Sequence, residues 1–228
     1  MKKISLILGV LFVLFAAKNM NAQNCVSWYP TETSSRWETT SYDSKDNVTG
    51  ITVSKVMSKE ITPKGMVMII EGESYDAKHT SQGKNSFTVG CADGKFFVSL
   101  DNLVNKSMYK DMDVNVTSDN LELPYAPTTG MTLPDGQITM SVSNKGVPII
   151  NMTISITNRK VESVENITTS AGTFECYKIT YDVTTKSFIN VTTKSIEWYC
   201  KETGVVRSET HDSNGKLMGY SLLTKFTK

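Results

Sequence analysis

The 228-residue chain has almost no net charge and few of the groups that enzymes use most often. Its 24 lysines and arginines are balanced by 23 aspartates and glutamates, whereas proteins that bind nucleic-acid phosphates usually carry a clear basic excess. It has only two histidines, and it lacks the G-x-S-x-G, H-E-x-x-H, P-loop and dinucleotide-binding motifs. We therefore expect no nucleic-acid binding, no enzymatic activity and no cofactor.

Each of the two histidines still offers a possible site. His211 stands beside Asp212, a combination that could form a base oriented by a carboxylate. The Asn214-Gly215 turn follows at once, so a solvated hairpin is the favoured interpretation. His79 lies in a polar stretch with no motif around it.

Long apolar runs are also scarce, and the clearest one begins the chain. Lys2-Lys3 precedes the apolar stretch Ile4–Ala17, and a small residue, Ala22, follows shortly after. This is the layout of a secretory signal peptide, with cleavage between Ala22 and Gln23. No later run approaches the ~20 apolar residues of a membrane-spanning helix. We expect residues 23–228 to form one β domain without a transmembrane segment.

Cys25 provides the alternative to simple cleavage, because a cysteine soon after an apolar run can accept a lipid. The preceding residues, Gln23 and Asn24, are unlike the small residues of such a site. We favour cleavage after Ala22 and predict export to the periplasm or cell envelope.

The remaining sequence is dominated by alternation of apolar and polar residues, which predicts a mainly β protein. In Ile150–Thr157 apolar residues alternate with Asn, Thr and Ser, the pattern of a half-buried strand. The same alternation occurs at Phe87–Cys91, Ile138–Val142, Tyr177–Val183, Ile196–Cys200 and Met218–Phe226. Turn residues such as Asp93-Gly94 separate these runs, so we expect antiparallel hairpins.

Three segments depart from this pattern. Asp101 is a good helix cap, and helical spacing of apolar residues predicts one short helix over Asp101–Met112. The stretch Asn120–Gly130 contains two prolines and could subdivide the domain near residues 120–130. The block Met66–Ile70 is apolar at every position, which predicts a strand buried on both faces. A pocket whose methionines adapt to an apolar ligand is the alternative.

Four cysteines in an exported chain predict two disulfides, with four free thiols as the alternative. If the strands around Cys176 and Cys200 form a hairpin, opposing residue numbers sum to 376 and the turn centres on Phe188. The two cysteines then face each other at a distance that a disulfide can bridge. Cys25 and Cys91 remain for the second disulfide. The long cysteine gaps do not fit a metal site.

Several stretches resemble the TapB-like family of exported proteins from Gram-negative envelopes, which is close to a domain-of-unknown-function group. The stretches are Tyr29-Pro30 and Trp37-Glu38 after Cys25, then Asn158–Glu162, Ile167–Ile179, Glu197–Cys200 and Gly204–Glu209. The resemblance covers nearly the whole exported chain, although Ser170 stands where the family often has proline. It implies an antiparallel sheet, strongly curved into an open or partly closed barrel. It also supports the Cys25–Cys91 pairing and carries no catalytic residues.

A curved sheet with one apolar face must cover that face with a helix, a second sheet or a ligand. We therefore expect a non-enzymatic envelope protein that binds an apolar or lipid-like ligand. The alternative is a structural or assembly component that binds envelope proteins through exposed sheet edges.

Overall fold

A computed structural model describes residues 26–63, 65–100, 109 and 112–228. The predicted signal peptide, its cleavage site at Ala22 and Gln23, and Cys25 lie outside these residues, as does most of the predicted helix Asp101–Met112. The described part of the chain contains 13 β-strands and no helix, and therefore no helix that could cross a membrane.

The strands share an antiparallel arrangement with their neighbours. They are β1 (Arg36–Asp43), β2 (Val48–Thr62), β3 (Gly65–Asp76), β4 (Ser81–Ala92), β5 (Lys95–Ser99), β6 (Asp113–Ser118), β7 (Asn120–Pro124), β8 (Gly136–Asn144), β9 (Val147–Thr169), β10 (Gly172–Lys186), β11 (Asn190–Cys200), β12 (Gly204–His211) and β13 (Leu217–Thr227).

All 13 strands form one sheet in the order β6-β8-β9-β10-β11-β12-β13-β1-β2-β3-β4-β5-β7. Its edge strands, β6 and β7, are consecutive in the chain and only Asp119 separates them. The Asp119 N–H donates to the carbonyl of Gln137 at 2.9 Å. Because the chain passes directly from one edge to the other, the sheet curves into a nearly closed barrel. This confirms the predicted fold class.

The β10–β11 hairpin has the predicted register. Tyr177 pairs with Tyr199 and Lys186 pairs with Asn190, so opposing numbers sum to 376 and residues 187–189 form the turn. Cys176 and Cys200 form the predicted disulfide, with their Cα atoms 4.4 Å apart. No cysteine among the described residues is free. The Cys25–Cys91 pairing stays a prediction, since Cys25 lies outside the described residues.

Strand β9 is much longer than its alternation predicts. It spans 23 residues, whereas the alternating pattern ends at Thr157. The register with β10 shifts twice, between Lys178 and Ile179 and between Thr180 and Asp182. Asn158, in the second irregularity, has a φ of 56°, the left-handed region that asparagine tolerates better than most residues. Such bulges change which side chains face inward while the strand continues.

The apolar core fills much of the barrel interior. Its fully buried large side chains include Trp28, Phe96, Met68, Ile70, Leu123, Ile179, Leu223, Val89, Val161 and Val206. The segment before β1 closes one end of this core: Glu202 and Thr203 donate backbone hydrogen bonds to the carbonyls of Ser27 and Trp28 at 3.1 and 3.2 Å. Burying these side chains provides the main stabilisation of the fold.

Strand β3 corrects the expectation for Met66–Ile70. Met66, Met68 and Ile70 are buried, but Val67 and Ile69 on the other face are 36 % and 43 % exposed. The strand is therefore buried on one face only, because nothing among the described residues covers the outside of the sheet there.

Candidate functional site

A glutamate occupies the barrel interior among aromatic residues. Glu197 lies on β11 opposite Ile179, which is only 1 % exposed. Because side chains alternate along a strand, Ser195 and Tyr199 share its face, and Trp198 points to the other side. A carboxylate in this position must obtain hydrogen bonds from the protein or from a ligand.

Two tyrosines provide those hydrogen bonds. The hydroxyls of Tyr181 on β10 and Tyr199 on β11 donate to the Glu197 carboxylate, and the positive charge of Arg159 also stabilises it. Tyr29, from the segment before β1, lies close enough for the Glu197 charge to affect its ionisation. We call Glu197, Tyr181, Tyr199, Arg159 and Tyr29 the interior polar cluster.

Arg159 is anchored by backbone carbonyls. Its side chain is 4 % exposed, and its Nη1 donates to the carbonyl of Pro134 at 2.6 Å and to that of Glu122 at 3.1 Å. It follows directly after the irregularity at Asn158, which explains how a residue beyond the predicted strand reaches the interior. Arg159 thus links β9 to β7 and to the segment before β8.

Tyr29 connects the interior polar cluster to the aromatic part of the core. Its ring centroid lies 5.7 Å from Phe87, 6.0 Å from Phe96 and 6.1 Å from Trp37. The ring also packs on Gly204, where a Cβ atom would come within 2.8 Å of it. At this position glycine allows the ring to approach the backbone and permits the φ of 92°. Polar and aromatic surfaces are therefore adjacent inside the barrel.

Burial controls the ionisation of the interior polar cluster. Loss of solvent raises the pKa of Glu197 above its ordinary value of 4.5, and the hydrogen bonds from Tyr181 and Tyr199 and the charge of Arg159 oppose this rise. Burial also raises the pKa values of Tyr29, Tyr181 and Tyr199, so their hydroxyls stay protonated. The site therefore combines a carboxylate with neutral hydroxyl donors.

The interior polar cluster is enclosed but not sealed. Glu197, Tyr181 and Tyr199 are half-buried, whereas Arg159 and Tyr29 are buried. The position opposite Glu197 on β12 is a small polar residue, Ser208, whose hydroxyl lies 2.7 Å from that of Ser221 on β13.

A second concavity adjoins the interior polar cluster at Tyr181. This groove has a volume of about 490 Å³ and is lined by Asn158, Thr180, Tyr181, Asp182, Lys194, Ser195, Ile196, His211 and Gly215. Asp182 is directly opposite Lys194, and the Asn158 amide donates to Asp182 at 2.8 Å. The groove is therefore partly charged, and it shares Tyr181 with the interior polar cluster.

His211 and Asp212 do not form the carboxylate-oriented base that their adjacency suggests. The Asp212 carboxylate accepts the backbone N–H groups of Asn214 and Lys216, both at 2.9 Å, and so stabilises the hairpin turn. His211 instead approaches Glu209, with 3.6 Å between Nε2 and Oε2. Throughout the described ranges, no three His, Cys, Asp or Glu side chains are grouped to hold a metal ion.

Sequence reasoning placed the disulfide but missed the interior polar cluster. The Cys176–Cys200 bond lies on the same hairpin as Glu197, and the register that predicts it also places Glu197 opposite Ile179. That register sets a carboxylate among the inward-facing aromatic residues of β10, which is the signal that could have identified it. No comparable signal pointed to Arg159, because it follows the break in alternation.

Comparison with known proteins places the chain in a family. A family model described as DUF3108-like matches residues 32–223. The chain belongs to the DUF3108-like family. No curated protein matches this DUF3108-like chain.

Two crystal structures share the fold of this DUF3108-like chain. One is a candidate lipoprotein from Parabacteroides distasonis, with 24 % identity and a TM-score of 0.75. The other is a candidate exported protein from Bacteroides fragilis with a YmcC-like fold, with 23 % identity and a TM-score of 0.74. Each alignment covers 90 % of this chain and 100 % of the other. The shared fold is thus the YmcC-like one.

Proposed function

We propose that this protein is a non-enzymatic exported protein of the periplasm or cell envelope that binds a lipid-like molecule inside its barrel. Export is supported by the signal-peptide pattern and by the descriptions of the two structural neighbours as a candidate lipoprotein and a candidate exported protein. The resemblance to the TapB-like family points to the same location.

The observation that carries the proposal is the desolvated carboxylate of the half-buried Glu197 within a largely apolar and aromatic interior. Keeping an ionisable group there opposes folding unless it has partners, and a core built only for stability would use an apolar residue. Its tyrosine donors and Arg159 hold the carboxylate in one place. Such a site suits a ligand with a hydroxyl or amino group at one end.

The apolar part of such a ligand has a surface to contact. Tyr29 lies between Glu197 and the rings of Phe87, Phe96 and Trp37. Phe87 is half-buried and therefore keeps accessible apolar surface. Phe96 and Trp37 are buried, so a molecule with a polar head at Glu197 would place its apolar body against Phe87, where its burial contributes about 25 cal/mol per Å².

Assembly through sheet edges is less well supported. The edge strands β6 and β7 have only six and five residues. Short edge strands offer few unpaired backbone groups to a partner strand. The geometry therefore favours ligand binding over edge-to-edge assembly.

Native mass spectrometry of protein purified from its own envelope tests this function. We expect the wild type to retain a small amphipathic molecule, and Glu197→Gln to lose most of it. Glu175→Gln is the matched control, because Glu175 is an exposed glutamate of the neighbouring strand β10. A wild type without any retained molecule, or equal retention by the two variants, would contradict the proposal.

A further inference from the structure

The turn of the β10–β11 hairpin exposes large apolar side chains. Phe188 is 88 % exposed and Ile189 is 72 % exposed, and both belong to the turn itself. Val191, the second residue of β11, is 47 % exposed. Single exposed apolar residues are common, but adjacent ones at a protruding turn are not explained by folding.

A second hairpin adds to this surface. Val147 and Ile149, at the start of β9, are 64 % and 42 % exposed. A groove of about 410 Å³ between the two hairpins is lined by Pro148, Ile149, Ile150, Asn151, Ser187 and Phe188. Ile149 and Phe188 thus face the same groove. We call the exposed apolar residues of the two hairpin ends, Val147, Ile149, Phe188, Ile189 and Val191, the apolar tip.

The two segments that form the apolar tip carry lysines and no carboxylates. Residues 143–153 and 184–194 contain Lys145, Lys186 and Lys194 and no aspartate or glutamate. None of these three lysines forms a salt bridge with a described residue. The strand next to β8, β6, carries one carboxylate, Asp113, which pairs with Ser143. Lys145 and Lys186 therefore flank the apolar tip without a salt bridge to a described residue, and Lys194 lies further along β11, opposite Asp182.

The apolar tip also lies far from the start of the described chain. Ser27 and Trp28 bond to Glu202 and Thr203, just beyond the end of β11 at Cys200. The turn at Phe188 precedes the other end of β11, so the strand's 11 residues, each rising about 3.3 Å, separate the two sites. The apolar tip can contact a surface without disturbing the interior polar cluster.

We propose that the apolar tip docks on the surface of an anionic lipid bilayer. Aromatic and branched aliphatic side chains at a protruding turn partition into the interfacial region, and adjacent lysines attract anionic headgroups while their stems contact apolar surface. The combination of an exposed apolar end and flanking positive charges favours a bilayer over a protein partner. The inference is independent of the ligand proposed for the interior.

Vesicle flotation tests this docking. We expect the wild-type protein to float with vesicles of phosphatidylcholine and phosphatidylglycerol, and to bind pure phosphatidylcholine vesicles more weakly. The double variant Phe188→Ser, Ile189→Ser should lose about tenfold or more in affinity, because it removes the most exposed apolar area of the tip. Ile61→Ser is the matched control, since Ile61 is 71 % exposed on β2 outside the tip.

The lysines and the depth of insertion give separate readouts. Replacing Lys145, Lys186 and Lys194 by glutamine should weaken binding to the anionic vesicles, and added salt should weaken the wild type in the same way. A Phe188→Trp variant should show a blue-shifted fluorescence maximum when anionic vesicles are added.

Three outcomes would overturn the docking proposal. The first is a wild type that floats with neither vesicle; the second is a double variant, verified as folded by circular dichroism, that binds as well as the wild type. The third is equal loss of binding in Ile61→Ser. A blue shift in the fluorescence of Phe188→Trp on adding an envelope protein, with no shift on adding vesicles, would assign the apolar tip to a protein partner instead.

Discussion

The two ends of the β10–β11 hairpin differ in almost every physical respect. At its base, Cys176 and Cys200 are 0 % and 3 % exposed and are joined by a disulfide, whereas Phe188 at the turn is 88 % exposed. Trp28 packs edge-on against Tyr177 and Tyr199 at the base, with ring centroids 5.2 and 6.3 Å apart. The same pair of strands is therefore a fixed part of the core at one end and a solvated projection at the other.

This difference indicates how the hairpin divides stability and function. Burial, ring contacts and a cross-link concentrate stabilisation at the base, and local opening is easiest where such contacts are few. Glu197 lies between the two ends, close enough to the base to be held in place. A site for the ligand and a site for the bilayer can then occupy one hairpin without sharing residues.

Removing the disulfide should have the largest effect on this contrast. We expect Cys176→Ser with Cys200→Ser to lower the free energy of unfolding by about 2–4 kcal/mol, because the reduced unfolded chain is less constrained. Urea unfolding measures this loss, and non-reduced peptide mapping of the wild type verifies the bond. A loss well below 1 kcal/mol would mean that the packing of Trp28, and not the disulfide, fixes the base.

Glu197→Gln should change how stability depends on pH. The folded-state pKa of Glu197 is raised above 4.5 by burial, so the folded protein holds this proton more tightly than the unfolded chain does. Its contribution to stability is therefore fully present below about pH 4.5 and is lost as the pH rises through the folded-state pKa. Each unit by which folding raises the pKa of Glu197 corresponds to about 1.4 kcal/mol of stability. The wild type loses this stability as the pH rises, and the glutamine variant, which does not ionise, does not.

Urea unfolding of both proteins over a series of pH values checks this sign. The variant should gain stability relative to the wild type as the pH rises, and Glu175→Gln, at an exposed position of β10, should show no such gain. A difference between Glu197→Gln and the wild type that does not vary with pH would show that the Glu197 carboxyl is not desolvated in the barrel.

The same hairpin shows what the sequence can predict. Alternation and turn residues predicted many of the strands, although not β7 or the second half of β9. The constant sum of 376 predicted both the turn at Phe188 and the Cys176–Cys200 bond. These features are local, since a hairpin's register follows from its turn. The curvature into a barrel was predicted only through a family resemblance, because closure depends on the distant edges β6 and β7 meeting.

Non-local packing explains what was missed. A glutamate within a strand suggests a solvent-facing position, and Glu197 is acceptable inside only because Tyr181, Tyr199 and Arg159 meet there from separate parts of the chain. The inward position of Arg159 could not be predicted, because the irregularity at Asn158 interrupts the alternation of the strand. The burial of one face of Met66–Ile70 likewise depends on what covers each side of the sheet, which composition does not specify.

A hydroxyl pair midway along the hairpin should have a small effect. Thr184 and Thr192 are paired across the strands, with their Oγ1 atoms 3.1 Å apart. A double-mutant cycle to valine should give a coupling energy of about 0.2–1 kcal/mol. Thr168 and Thr173, 2.9 Å apart near the other end of β10, form the matched pair. Equal coupling in both pairs would show that this kind of hydrogen bond contributes the same at the two ends of β10, so that packing distinguishes them.

The apolar tip should have the smallest effect on stability. Phe188 and Ile189 are almost fully solvated, so replacing both with serine removes little buried area. We expect the free energy of unfolding to change by no more than about 0.5 kcal/mol, as for exposed positions in general, and urea unfolding measures it. A loss above about 1 kcal/mol would mean that these side chains pack on the groove beside Pro148 in solution, and the contrast between base and tip would fail. If stability is unchanged while vesicle binding is lost, the exposed phenylalanine and isoleucine serve docking and not folding.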